Sequence, residues 1–233
     1  MKHLIIGAGE VGTAIHEVLS KKFDVTIRDK EDLTGQFDVL HITIPYSKDF
    51  IKECKRYFSQ YKPKFAIIHS TVKPGTTKKL GKNYVYSPIR GKHPKLITGI
   101  ITFTKYFGGT NSKNLYDAWE IFKTLGIEGV VSTDPTEVEL LKILETTYYG
   151  WNIVFMKEVH KLCKKYNADF SLVYKHANET YNQGYARLEN YQYVRPVLEP
   201  IPGPIGGHCV INNCHLLKSD ITKTILKHNK TYV

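Results

Sequence analysis

Short apolar runs alternate with amphipathic stretches over the first 131 residues. Leu4–Ile6, Val25–Ile27, Phe37–Thr43, Phe65–His69 and Tyr84–Tyr86 have the length and composition of strands, and helical patterns start at Ala14-Ile15 and around Phe50–Phe58. Gly99–Phe103 and Gly129–Val131 look like further strands, and Tyr116–Leu125 like an amphipathic helix ended by Gly126. Strands alternating with helices at these lengths imply a parallel, doubly wound α/β sheet.

A different pattern takes over at Asp134-Pro135, an N-cap followed by proline at the first helical position. Val138, Leu141, Leu144, Tyr148, Trp151, Phe155 and Val159 then recur at helical spacing, with Gly150 the one breaker. The spacing predicts a helix of about thirty residues, long enough at 1.5 Å per residue to span a domain. A helix through Leu172–Tyr185, a proline- and glycine-rich loop at 196–207 and a helical pattern from Cys209 to Leu226 follow. The expected organisation is a Rossmann domain over 1–133, then a long connecting helix with a small all-α domain over 134–233.

The strand Leu4-Ile5-Ile6 runs into Gly7-Ala8-Gly9-Glu10-Val11-Gly12 and then a helix. Gly7 permits the tight turn, Gly9 lets backbone approach a pyrophosphate, and Gly12 lets helix pack on strand. The phosphates would meet free N–H groups of Glu10 and Val11 at the helix start. Asp29 closes the second strand, where a carboxylate accepts from the adenosine ribose and repels a 2′-phosphate, which favours NAD over NADP. Arg28 and Lys30 flank it and moderate that preference.

Composition narrows the field. With 233 residues, 42% hydrophobic and 24% charged, the chain is ordinary globular protein. No apolar stretch has membrane-crossing length and residues 1–20 lack a signal-peptide layout, so a cytoplasmic protein with no membrane partner is expected. The net charge of +11, from 33 basic and 22 acidic side chains, suits an anionic small-molecule substrate and a phosphorylated cofactor. The basic residues are dispersed and no nucleic-acid motif accompanies them, so specific nucleic-acid binding is not expected. Cys54, Cys163, Cys209 and Cys214 form no CxxC pair and are expected to be reduced thiols.

Three further segments could carry chemistry. His69-Ser70-Thr71-Val72-Lys73-Pro74-Gly75-Thr76-Thr77 ends a sheet strand, where ligands bind in open parallel sheets. Its hydroxyls could hold a phosphate, a water or a nicotinamide amide, or form a turn and N-cap only. Glu139, Lys142 and Thr146 share one face of the long helix. Lys142 could act as acid–base group or hold an oxyanion, or snorkel and pair with Glu139. Pro202-Gly203-Pro204-Ile205-Gly206-Gly207-His208-Cys209 delivers a cysteine to the start of a helix, from which a thiol can attack an aldehyde; loop cysteines are also commonly inert. His208, Cys209, Cys214 and His215 match no zinc spacing, so no metal is expected.

In this order, GAGEVG, STVKPGTT, EVELLKILETTYYGWNIVFMKEV and PGPIGGHC resemble the UDP-glucose/GDP-mannose dehydrogenase family, including its UDP-N-acetylmannosamine branch. The resemblance spans nearly the whole chain. It implies two hydride transfers to NAD, from sugar alcohol to aldehyde to acid, with the aldehyde captured on a cysteine and released by hydrolysis of a thioester. It further implies Cys209 as nucleophile, Lys142 as the stabiliser of developing oxyanions and Thr71 as a residue positioning water. Gly206, Gly207 and His208 would surround the substrate, and Pro45, Ser70 and Thr71 the cofactor.

The departures are specific. Thr146 stands where the family has an asparagine and Asn213 where it has an aspartate. Ser87-Pro88-Ile89-Arg90-Gly91-Lys92-His93-Pro94 replaces an acidic segment containing a glutamate that would assist hydrolysis. The chain ends at Val233, before the nucleotide-gripping third domain that the resemblance implies. The expectation is an NAD-dependent oxidoreductase in truncated form, acting on an anionic sugar alcohol. Two alternatives stay open: a two-electron enzyme of hydroxyacid-dehydrogenase type using Lys142 without Cys209, and a cofactor-binding protein without catalysis. Tyr148, Tyr149, Trp151 and Phe155 offer more apolar surface than one sheet domain covers, so a homodimer through the long helix is expected.

Overall fold

Seven strands form one sheet in the order β2-β1-β3-β4-β5-β6-β7 in the computed structural model of the chain, which describes residues 1–31, 33–92, 94–207 and 209–232. The strands are β1 (Lys2–Ile6), β2 (Asp24–Arg28), β3 (Val39–Ile42), β4 (Phe65–Ile68), β5 (Tyr84–Tyr86), β6 (Lys105–Gly108) and β7 (Gly129–Ser132). β1 to β5 are mutually parallel. Central strands β3 and β4 are buried along their whole length, which is why they appear in the sequence as continuous apolar runs rather than alternating ones. β6 joins β5 antiparallel through the single pair Tyr86–Gly108 and runs parallel to β7.

Helices α1 (Glu10–Leu19), α2 (Phe50–Tyr61), α3 (Thr76–Leu80), α4 (Leu96–Thr102) and α5 (Ser112–Lys123) connect the strands. The sheet has a core on each side. One gathers Ile5, Ile15, Val39, Ile67, Phe107 and Phe122, the other Leu4, Ile6, Leu40, Phe50, Ile68 and Tyr86. This is a Rossmann-type α/β fold.

The segment Gly99–Phe103, expected as a strand, is largely helix α4. A Cβ on Gly99 would lie 2.6 Å from the carbonyl oxygen of Arg90, so this glycine lets the helix pack against the Arg90–Gly91 turn. The strand is the next segment, Lys105–Gly108, which a buried lysine disguises.

The 32-residue helix α6 (Pro135–Tyr166) begins as the sequence predicts, with Asp134 Oδ1 accepting from the Thr136 N–H at 2.8 Å. The chain divides into two compact units, Met1–Ile143 and Leu144–Val233, with the boundary inside α6. In the second unit a π-helical turn (Ser171–His176) leads into α7 (Ala177–Arg187), followed by α8 (Cys209–Leu216) and α9 (Asp220–Asn229). Val154, Ile205, Val210, Cys214, Ile225 and Tyr232 form its core.

The helical pattern expected from Cys209 to Leu226 is interrupted between α8 and α9. Ser219 caps α9, accepting from the Thr222 N–H at 3.2 Å while its own N–H reaches the Thr222 hydroxyl at 3.1 Å. Among the described residues no helix is long and apolar enough to cross a membrane.

Candidate functional site

The glycine turn between β1 and α1 has the geometry that each glycine's role requires. Gly7 has φ +109°, a conformation that L side chains rarely adopt, and its N–H donates to Arg28 O at 2.8 Å. A Cβ on Gly12 would lie 1.9 Å from the Gly7 carbonyl oxygen, so only glycine lets the helix sit this close to the strand end. A Cβ on Gly9 would meet nothing within 4 Å. Gly9 is thus dispensable for packing, and the room above it suits an approaching phosphate. It is the N-cap of α1 and offers no side-chain partner to the first-turn amides, which include those of Glu10 and Val11. The residues present therefore fit a dinucleotide.

Asp29 is exposed just beyond the end of β2. Its neighbour Arg28 turns inward and is 6% exposed. The guanidinium donates to the Tyr57 hydroxyl at 3.1 Å, to Asp29 O at 3.2 Å and to Lys30 O at 3.1 Å, bracing the turn that presents Asp29. Pro45 lies exposed beyond β3. Ser70, at the end of β4, donates from Oγ to Ile44 O at 2.6 Å, fastening the ends of β3 and β4 to each other, and half-buried Thr71 follows it.

The rest of the Ser70–Thr77 loop is tied to α6. Glu139, fully buried, accepts from the Thr77 N–H at 2.8 Å, the Thr77 hydroxyl at 2.7 Å and the Gly75 N–H. Burial raises its pKa, against the lowering effect of these three donors. Lys142, one turn further along α6 and half-buried, donates from Nζ to Ile89 O at 2.8 Å. Ile89 lies in the basic segment that replaces the acidic one of the resembling family, so a backbone carbonyl orients the lysine there.

In the second unit Cys209 is the first residue of α8 and is exposed, whereas Cys54, Cys163 and Cys214 are buried; all four are free thiols. Gly150 of α6 brings α8 close, since a Cβ there would lie 2.6 Å from Val210 Cγ1. Asn213 is buried and donates from Nδ2 to Thr146 Oγ1 at 3.0 Å. The two family departures thus meet each other, a neutral amide on a neutral hydroxyl. Gly206 and Gly207 are exposed, with Gly207 at φ +77°. His208 lies outside the described residues. Among the described residues no group of three or more His, Cys, Asp or Glu side chains could hold a metal ion.

One cluster was not anticipated. His3, His41 and His69 come from β1, β3 and the end of β4 and lie fully or almost fully buried in a row. Nδ1 of His3 lies 2.9 Å from Nε2 of His41, Nδ1 of His41 lies 3.0 Å from Nε2 of His69, and Nδ1 of His69 lies 2.7 Å from Ser87 O. A carbonyl only accepts, so His69 carries its proton on Nδ1, and the same assignment then follows for His41 and His3. Lys105 of β6, 4% exposed, donates to the same Ser87 O at 3.1 Å and to Pro88 O at 3.3 Å. Burial, then the charge of Lys142, pull its pKa down to about 7. The signal in the sequence was a lone histidine in or beside each of three apolar strand runs.

Residues 136–230 match the family model of the UDP-glucose/GDP-mannose dehydrogenase family, central domain. A UDP-N-acetyl-D-mannosamine dehydrogenase of Methanococcus maripaludis is 29% identical over 188 residues, 78% of this chain and 38% of that one. A second M. maripaludis enzyme of that name is 32% identical over 151 residues, 62% of this chain and 32% of that one, so the chain spans about a third of the length of these curated relatives. The solved UDP-N-acetylmannosamine dehydrogenase of Pyrococcus horikoshii superposes with a TM-score of 0.81 at 17% identity, covering 99% of this chain and 68% of that one. The glycine turn, the helix bearing Lys142 and the cysteine loop thus stand in a chain whose second unit matches the family model and which aligns with nucleotide-sugar dehydrogenases over most of its length. Residues 136–230 are thus similar to the central domain of the UDP-glucose/GDP-mannose dehydrogenase family, and most of the chain to UDP-N-acetyl-D-mannosamine dehydrogenases.

Proposed function

We propose that this protein is an NAD-dependent dehydrogenase that oxidises an alcohol of an anionic sugar substrate, a nucleotide sugar or a sugar phosphate. The observation that carries the reading is the glycine turn: Gly7 and Gly12 are required by the fold, whereas Gly9 leaves open the space that a pyrophosphate would take. NAD, when bound, supplies the hydride acceptor. Exposed Asp29 accepts from the adenosine ribose, and inward-turned Arg28 directs its guanidinium to Tyr57 and to the carbonyls of residues 29 and 30. Pro45, Ser70 and Thr71, at the carboxyl ends of β3 and β4, flank the nicotinamide end.

Lys142 works on the substrate oxygen. As the carbinol carbon gives up hydride to the cofactor, the hydroxyl gives up its proton to water, and an ammonium beside that oxygen stabilises the charge developing on it. The Ile89 carbonyl fixes where the ammonium sits. Cys209 is the nucleophile available to an aldehyde product, with Gly206 and Gly207 around the sugar.

A specific observation favours a second reading, a single two-electron oxidation with Cys209 idle. Asn213, joined to Thr146, can act as neither acid nor base, and Ile89 offers only a backbone carbonyl in the segment where a glutamate would assist hydrolysis. Stoichiometry separates the two: two NADH per substrate consumed support the four-electron reaction, one NADH and a free aldehyde the two-electron one. The assay would use UDP-sugars, GDP-mannose and simple sugar phosphates with NAD. Cys209→Ala and Lys142→Ala variants that both keep wild-type rates would refute the assignment. Binding of NAD with no turnover on any of them would leave a cofactor-binding protein without catalysis.

We also infer a homodimer. Tyr148, Tyr149 and Phe155 of α6 are 62%, 52% and 58% exposed, an aromatic surface that suits a second copy of the chain. A monomeric mass by light scattering at micromolar concentration would oppose it.

A further inference from the structure

The loop leading to Cys209 is fastened by a cation that the chemistry above does not use. Lys157, on α6 and in the same unit as Cys209, is only 9% exposed. Its Nζ donates to Ile201 O at 2.6 Å and to Gly203 O at 2.7 Å, and lies 4.9 Å from the centre of the Tyr232 ring. Burial, then Lys161, lower its pKa from the ordinary lysine value, so an ammonium is costly here unless something offsets the lost hydration. Two carbonyls and an aromatic face do so. A methionine or leucine would fill the same space without needing them, and could hold neither carbonyl.

The segment held in this way has little structure of its own. Pro202 and Pro204 lack an N–H, and Gly203 and Gly207 take positive φ, at +78° and +77°. Among the described residues, side chains hydrogen-bond the backbone of residues 201–207 at two places. Lys157 holds the carbonyls of residues 201 and 203, and Asn229 Oδ1 accepts from the Ile205 N–H at 2.6 Å. Ile205 is buried in the core of the unit, and α8 starts at Cys209. Lys157 thus secures the entry to the loop, while Asn229 and Ile205 secure its middle.

We propose that Lys157 is a positioning residue for Cys209: by fastening the Ile201–Gly203 turn to α6 it sets the path of the loop that delivers the thiol to the start of α8. This rests on the reading of Cys209 given above, yet its test does not, because it reads the loop directly. Cys209 is the one exposed cysteine among the four, so iodoacetamide labelling followed by peptide mass spectrometry reports on it in the intact protein.

Lys157→Met should raise Cys209 labelling and amide exchange over 201–207 by about tenfold or more, as expected when two charge-assisted hydrogen bonds are lost. Cys163 and Cys214 should stay unlabelled, and Lys157→Arg, which keeps charge and donors, should stay within about threefold of wild type. Equal labelling and exchange in wild type and Lys157→Met would overturn the proposal. So would faster exchange spread over α8 and α9 with Cys214 becoming labelled, since Lys157 would then support the whole unit rather than the loop. Catalysis through Cys209 can fail its own assay with this result unaffected.

Discussion

The ammonium of Lys142 donates to the carbonyl oxygen of Ile89 at 2.8 Å, so a lysine of the long helix is oriented by the loop that follows the fifth strand of the sheet. If Lys142 stabilises the reacting oxygen, Lys142→Met should lower kcat by about a hundredfold or more while leaving NAD affinity within about threefold. Steady-state NADH formation with the active sugar checks this. An unchanged kcat would remove Lys142 from the site.

Glu139 ties α6 to the Ser70–Thr77 loop through three donors. Glu139→Ala leaves those donors unpaired, the two on Thr77 buried, and should cost about 2–4 kcal/mol of stability. Glu139→Gln retains an acceptor and should cost less. Urea denaturation of the three proteins gives the ordering, and equal midpoints would contradict it.

The histidine row makes a pH prediction. Burial lowers the pKa of His3 to about 4 and holds His41 and His69 well below the ordinary histidine value. Between about pH 6.5 and 4 the unfolded chain therefore binds more protons than the folded one, so stability is fully present above 6.5 and falls as the pH drops through that window. His3 alone contributes about 3 kcal/mol to the loss. Lys105 acts in the same direction in a higher window: its folded pKa of about 7 lies below that of an exposed lysine, so it adds stability as pH rises above 7. Thermal melts from pH 7.5 to 4.5 should show a steadily falling midpoint, and a flat profile would contradict the buried row.

Where each side chain follows its local pattern, the sequence foretells the structure. The glycine turn, the buried runs of β3 and β4 and the capped start of α6 all stand where the pattern puts them, and the motif resemblance agrees with the family match. The failures have physical causes. β6 begins with a buried lysine whose charge is answered by carbonyls of residues 87 and 88, distant in sequence, so the apolar run before it looked like the strand. Ser219 breaks what looks like one helix through a reciprocal cap that periodicity does not register. For Lys142 the sequence offered Glu139 as partner. The structure gives Glu139 to Thr77 and Gly75 and Lys142 to a backbone carbonyl, and backbone partners leave no mark in a residue pattern. The same holds for Lys157 and the cysteine loop.

Gly12 and Gly9 should separate fold from function. Gly12→Ala pushes a Cβ onto the Gly7 carbonyl and should destabilise the protein by about 1–3 kcal/mol or shift the helix. Gly9→Ala meets no protein atom within 4 Å and has ordinary backbone angles, so its stability should stay within about 1 kcal/mol of wild type.

The most direct measurement is calorimetric titration of NAD into the wild-type protein and into Gly9→Ala. Saturable binding to wild type that weakens about tenfold or more in a Gly9→Ala protein of unchanged melting temperature would support the cofactor site and the dehydrogenase built on it. No saturable binding to wild type, or equal affinity in the variant, would contradict it.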